Sequence, residues 1–190
     1  MIILTGPSAS GKTATCLYLQ AHYGIKKVVT HTTRAKRTGE VNDIDYHFVD
    51  EKEFNRMIDN DEFVEHVSFN GNSYGTSKKE VSLDKCCALE INGAMTYKSF
   101  NDPKIVIFYM NLDEETCKER MIARGDSPEK VILRLENDKN AFHLSEEQKK
   151  MIDANVDTKN HDLASVSKYI YDKYIEILKE RGIDVSLLVK

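Results

Sequence analysis

Eight residues near the start of the chain, Gly6-Pro7-Ser8-Ala9-Ser10-Gly11-Lys12-Thr13, spell the pattern G-x-x-x-x-G-K-[ST]. The apolar run Ile2-Ile3-Leu4 precedes them, and Ala14–Gln20 reads as a helix. That strand, loop and helix order is the context in which the pattern forms a phosphate-binding loop. Glycines at both ends let the backbone curl until successive N–H groups converge on phosphate oxygens. The loop then delivers the phosphates to a helix N-terminus, where unpaired N–H groups and the macrodipole favour negative charge. In such a loop Lys12 reaches the β- and γ-phosphates and the Thr13 hydroxyl is a ligand of Mg²⁺. Gly6, Ser8, Ala9, Ser10, Gly11, Lys12 and Thr13 are therefore the candidate nucleotide-phosphate contacts.

The remainder of the sequence narrows the class. A chain of 190 residues, 41% hydrophobic and 31% charged, is long enough for a proper core in one domain, 1–190. A net charge of −4 argues against a general nucleic-acid binder, which carries excess positive charge. No apolar run approaches a membrane span and no signal peptide is recognisable, so a cytoplasmic protein is expected. Cys16, Cys86, Cys87 and Cys117 have no metal-site spacing and read as small core residues in a reducing compartment. The six histidines are scattered and suggest no metal either.

Taken in order, Ile2–Thr5 reads as a strand buried on both faces. The helix after the loop is expected to bury Ala14, Leu17 and Ala21 and to stop at Gly24. Residues 27–30 read as a second strand. Beyond it the chain turns polar, with Arg34 and Arg37 separated by two residues just past a strand end, where ligands gather in open α/β sheets. Guanidinium forks match phosphate oxygens in two-point contacts, so this pair is a candidate clamp for an anionic substrate. Asp50 caps a helix to about Asn60 with Phe54, Met57 and Ile58 inward. Phe63–Phe69 alternates like a strand, Asn70-Gly71 is a hairpin signal, and Asn72–Thr76 returns. Residues 31–82 thus form an α+β insertion between strands of the main sheet. The core pattern resumes at Cys86–Ile91, a short helix follows over Gly93–Phe100, and Lys104–Met110 is the clearest parallel strand. Asp113 caps a helix through Arg124, Ser127-Pro128 starts another, and Ser145–Gln148 is a capping box. Ala154–Thr158 reads as a last strand, and an amphipathic helix from Asp162 ends at Gly182.

Several of these segments together resemble guanylate kinase. The resemblance rests on Gly6–Thr13; on Thr32-Thr33-Arg34, Arg37, Gly39-Glu40-Val41, Asp45-Tyr46 and Phe48; and on Phe63, Glu65, Gly71-Asn72 and Tyr74-Gly75-Thr76. It runs in order from residue 2 to about residue 180. It implies a P-loop three-layer α/β/α fold with a mostly parallel central sheet, an inserted α+β nucleotide-monophosphate-binding region and a short helical lid. The nucleotide-binding core would be 1–30 and 83–190, the GMP-binding insertion 31–82 and the lid 120–142. It implies transfer of the γ-phosphoryl of Mg-ATP to GMP, with ATP and Mg²⁺ required. Arg34 and Arg37 would hold the GMP phosphate with Tyr46 and Tyr74, and Glu65 would accept from the guanine N1–H and 2-amino groups. Thr30 and Thr76 would reach the guanine edge. Arg120, Arg124 and Arg134 would close over the ATP phosphates, with Lys12, Arg37, Arg124 and Arg134 acting on the moving phosphoryl group. Asn160 would lie near adenine. On composition alone the tyrosines read as core residues and Glu65 as an outward position on an edge strand.

The chain departs from that pattern in places. Lys36 stands where proline is usual, and Glu90-Ile91-Asn92 replaces a segment that usually carries two aspartates. The last strand is more polar than usual. A kinase of the same fold with another phosphorylated acceptor, and a binding module without chemistry, are the alternatives; monomer and homodimer are both open.

Overall fold

The computed structural model of the chain describes residues 1–36, 38–69 and 71–189. In chain order, β1 (Ile2–Thr5), α1 (Lys12–Tyr23) and the short β2 (Lys26–Lys27) come first. Then come β3 (His31–Thr32), β4 (His47–Phe48), α2 (Glu51–Asp59), β5 (Phe63–Phe69) and β6 (Asn72–Ser77). The rest is β7 (Lys85–Ala88), α3 (Ile91–Ser99), β8 (Val106–Asn111), α4 (Glu114–Ala123), α5 (Pro128–Asn137), α6 (Lys139–Phe142), α7 (Glu146–Met151), β9 (Ala154–Asp157) and α8 (Leu163–Glu180).

β1 is buried along its whole length because it is the middle strand of a five-stranded parallel sheet in the order β2-β7-β1-β8-β9. Alternate residues point to opposite faces. Ile2 and Leu4 pack with Leu19 of α1 and with Ile170, Tyr174 and Leu178 of α8. Ile3 packs on the other side with Ala94 and Tyr97 of α3. The sheet is therefore covered by helices on both faces, as continuous apolar strands require. The loop Gly6–Gly11 leaves β1 between the carboxyl ends of its neighbours, with Leu4 beside Ala88 and Thr5 beside Tyr109.

A second, four-stranded sheet has the order β4-β3-β6-β5. Phe54 and Met57 of α2 pack on Phe63 to give it a small core of its own. Ile58, expected inward, is instead exposed and takes no part in that core, whose α2 contribution is Phe54 and Met57. Val64 of β5 packs against the α3 side of the main core, so the second sheet is braced on the first.

The expected caps at Asp50, Asp113 and Asp162 are present, each carboxylate accepting from the backbone N–H three residues on. The Ser145–Gln148 box closes in both directions. Other expectations need correction. In α1 the buried side is Thr15, Cys16 and Leu19, whereas Leu17 is 55% exposed. Gly11, in left-handed backbone at the start of α1, sets the rotation of the helix, and it turns Ala14, Leu17 and Ala21 outward. The second strand pairs only over β2. Val28 N–H still reaches Cys86 O at 2.8 Å, and by Thr30 the chain has joined the other sheet, where Thr30 O accepts from His47 N–H at 3.0 Å. α3 begins at Ile91, before Gly93.

All four cysteines are free and buried. Burial pushes the Cys117 thiol up to about 11 and Cys87 well above its usual value, so neither is a nucleophile at neutral pH. Among the described residues, no helix is long and apolar enough to cross a membrane.

Candidate active site

The loop between β1 and α1 carries three residues in left-handed or mirror backbone: Gly6 (φ 138°), Ala9 (φ 60°) and Gly11 (φ 94°). Gly6 also lies against β8. A Cβ there would meet the carbonyl oxygen of Met110 at 2.5 Å. Gly6→Ala therefore combines a forbidden φ with a backbone clash. It is expected to destabilise the fold by about 3 kcal/mol, read by urea unfolding; an unchanged unfolding free energy would mean that the loop can move off β8.

Lys12 opens α1 and folds back over the loop, its ammonium donating to Gly6 O at 2.6 Å and Pro7 O at 2.7 Å. Burial holds its pKa below the usual lysine value, with the charge of Asp138 the largest opposing influence and Glu90 a smaller one. Around it is a cavity of about 440 Å³ lined by Ser8, Ala9, Gly11, Thr13, Arg120, Arg124 and Arg134, among others. Arg120 is anchored beneath, donating to Thr158 O at 2.6 Å and Ala9 O at 3.3 Å. Arg124 and Arg134 converge on one acid: Asp126 accepts from Arg124 Nε at 2.9 Å, and its Oδ2 lies 3.8 Å from Arg134 Nη1. The wall is thus cationic and faces the N-terminus of α1, an arrangement suited to a polyphosphate. The Ser10 side chain is buried and unpaired beneath the loop.

A neighbouring cavity of about 240 Å³ is lined by Ser10, Gly11, Thr15, Met110, Arg120, Thr158, His161, Leu163 and Val166. Asn160 is exposed, and the nearby Thr158 and His161 line this space instead. A cavity of about 480 Å³ at the far end of α1, lined by His22, Tyr23, Lys26, Asp84 and Leu187 among others, offers the carboxyl end of the helix, which disfavours anions.

The second sheet gathers another group. Thr32 Oγ1 donates to Ser73 O at 3.0 Å and accepts from Arg34 N–H at 3.1 Å, while Thr33 Oγ1 accepts from Ser73 N–H at 2.9 Å. These bonds fasten the segment bearing Arg34 to the β5–β6 hairpin. The Arg34 guanidinium pairs with Glu40 at 2.6 Å and lies over the rings of Tyr46 and Phe48, 5.3 and 5.6 Å from their centroids. Tyr46 and Tyr74 meet edge to face with centroids 6.2 Å apart. Further along the hairpin Thr76 Oγ1 donates to Glu65 Oε1 at 2.9 Å; Thr76 is buried and Glu65 half-buried. Thr30 is half-buried at the entry to β3. Arg37 lies outside the described residues.

Two groups are therefore assembled, one on the P-loop and one on the second sheet. Asp138 and Tyr109 escaped the sequence reading. Asp138 Oδ2 accepts from Ser8 N–H at 2.6 Å, and the Tyr109 hydroxyl donates to Ala141 O. The spacing of Arg134 and Asp138, four residues on a helix, places them on one face and was the legible signal for the first.

A family model described as Guanylate kinase matches residues 1–171. The guanylate kinase of Clostridium perfringens (strain SM101 / Type A) is 36% identical over 145 residues, 72% of this chain and 67% of the relative. That of Fusobacterium nucleatum subsp. nucleatum is 30% identical over 174 residues, 87% of this chain and 94% of the relative. The crystal structure of guanylate kinase from Anaplasma phagocytophilum covers 97% of this chain and 87% of its own, with a TM-score of 0.54 at 23% identity, a likeness of fold. The parallel central sheet flanked by helices accords with these matches: the chain belongs to the guanylate kinase family.

Proposed function

We propose that the chain is an ATP:GMP phosphotransferase, moving the γ-phosphoryl group of ATP to a phosphate oxygen of GMP to give ADP and GDP. The observation that carries the choice of acceptor is the Glu65 carboxylate held by Thr76. Guanine presents two adjacent donors, N1–H and the 2-amino group, and an ionised carboxylate has only acceptors to offer them. Tyr46, Tyr74, Arg34 and Arg37 take the GMP phosphate. For Arg34 this means exchanging or sharing Glu40. Residues 31–82 act as the GMP-binding region, 1–30 and 83–190 as the ATP-binding core and 120–142 as the lid.

Phosphoryl transfer asks for position and charge neutralisation more than for covalent chemistry. Gly6, Ser8, Ala9, Ser10, Gly11, Lys12, Thr13 and Arg120 bind the ATP phosphates. Lys12, Arg37, Arg124 and Arg134 stabilise the moving group. The donor set fits a phosphate-held Mg²⁺. Thr13 offers an exposed hydroxyl at the cavity, and among the described residues no group of His, Cys, Asp and Glu could cage a metal. Mg²⁺ usually keeps waters and phosphate oxygens with few protein ligands. When bound it offsets charge on the β- and γ-phosphates. Four unlinked thiols suit a cytoplasmic enzyme.

The test offers GMP, dGMP, AMP, CMP and UMP separately with Mg-ATP and follows ADP. Turnover confined to GMP and dGMP is expected. Turnover with AMP instead, or with none of the five, would overturn the assignment of acceptor.

A further inference from the structure

Ser8 belongs to the P-loop, whose N–H groups serve phosphate oxygens. Yet its N–H donates to a carboxylate of this same chain, Asp138 Oδ2, at 2.6 Å. The acid is not a swinging surface group. Asp138 sits at the junction of α5 and α6, half-buried. Its own N–H donates to Arg134 O at 2.9 Å, and its carbonyl accepts from Ala141 N–H at 2.7 Å and Phe142 N–H at 3.1 Å. Tyr109 of β8 donates its hydroxyl to Ala141 O. Ala9 of the loop shares an apolar cluster with Leu135 and Phe142. These contacts pack the junction against β8 and the loop, with the carboxylate on the Ser8 N–H of the cradle. Lys12 registers its charge more than that of any other neighbour.

We propose that Asp138 is an affinity-setting residue of the phosphate cradle, its carboxylate taking the place of a phosphate oxygen on the Ser8 N–H, so that an incoming polyphosphate must compete with it. A carboxylate and a phosphate oxygen are chemically equivalent to a backbone donor, since both are anionic acceptors. Only one can hold a given N–H in good geometry, and whichever is excluded remains as a like charge beside the other. Asp138 therefore weakens binding of the phosphate chain, and its removal strengthens binding. The inference rests on the phosphotransferase reading for the identity of the natural triphosphate, but its chemistry can be tested with inorganic pyrophosphate.

The experiment titrates pyrophosphate, free ATP and Mg-ATP, and separately GMP, into the wild-type chain, Asp138→Asn, Asp138→Ala and Asp138→Glu by calorimetry. Removing one like charge from the edge of the site is expected to tighten pyrophosphate and ATP binding about tenfold. GMP binding stays unchanged, and Asp138→Glu remains as weak as the wild type. Unchanged or weaker polyphosphate binding in the Asn and Ala variants would overturn the proposal and leave Asp138 as a clamp between α6 and the loop. A second measurement needs no variant: the Ser8 amide resonance of the wild-type chain should move on addition of pyrophosphate, and a stationary resonance also overturns it. Binding of pyrophosphate or ATP by neither wild type nor variants would remove the phosphotransferase reading and this inference with it.

Discussion

Lys12→Ala is expected to lower kcat/KM for transfer from ATP to GMP by about a thousandfold, roughly 4 kcal/mol of transition-state stabilisation, while the fold survives. The ammonium is the P-loop's own cation and stands within bonding distance of two loop carbonyls, Gly6 O and Pro7 O. Gly6 and Pro7 are themselves buried, but the Lys12 side chain lines the open cavity, so water can follow the truncated side chain to those carbonyls and limit the cost to stability. Burial already works against the charged form of Lys12. The folded state therefore carries the ammonium at an electrostatic cost and keeps it for what it does to phosphate. The variant's unfolding temperature should match wild type within a few degrees, and GMP binding should persist. Near-normal turnover would remove the P-loop from the chemistry. A collapsed unfolding temperature would instead show Lys12 to be part of the structural frame.

How much of this was legible in the sequence depended on whether the signal was local. The loop from Gly6 to Thr13 needs only its own backbone and the elements beside it, and it stands at the centre of the sheet edge as expected. The caps at Asp50, Asp113 and Asp162 and the box at Ser145 close within three residues, so sequence alone contains both partners. The rotation of α1 was not local. Ala14, Leu17 and Ala21 make as good an apolar stripe as Cys16 and Leu19, and the choice between them is made by how the loop enters the helix. The same holds for β2, whose length is set by where Val28 leaves Cys86 for the second sheet. Asp138 meets Ser8 across 130 residues of sequence, and composition gives no reason to join them. Arg34 was nameable as an anion clamp from its type and place. Its pairing with Glu40 and its position over Tyr46 depend on the segment being pinned to Ser73 by Thr32 and Thr33.

Glu65→Gln is the sharper test of specificity, because it changes one oxygen to nitrogen and almost nothing in volume. Glu65 is half-buried on β5 and its Oε1 accepts from Thr76 at 2.9 Å, which fixes the plane of the carboxylate. In the wild type both oxygens are acceptors and guanine supplies two donors. Glutamine keeps one acceptor and turns an NH₂ group toward the rest, so one donor of the base faces another donor in a desolvated site. A charged hydrogen bond is lost and a polar group is left unpaired, two overlapping losses that together cost about 3–4 kcal/mol. The expected result is a fall in kcat/KM for GMP of about a hundredfold to a thousandfold, with KM for ATP moving less than about twofold because no P-loop group has changed. Thr76 can still donate to the remaining carbonyl, so the β5–β6 hairpin should keep its register and the variant its stability. Steady-state rates at varied GMP and fixed ATP, then the reverse, separate the two constants. If the variant discriminates GMP from AMP as well as wild type does, the base is read elsewhere, and Glu65 and Thr76 are only a cross-strand pair on a half-buried sheet face.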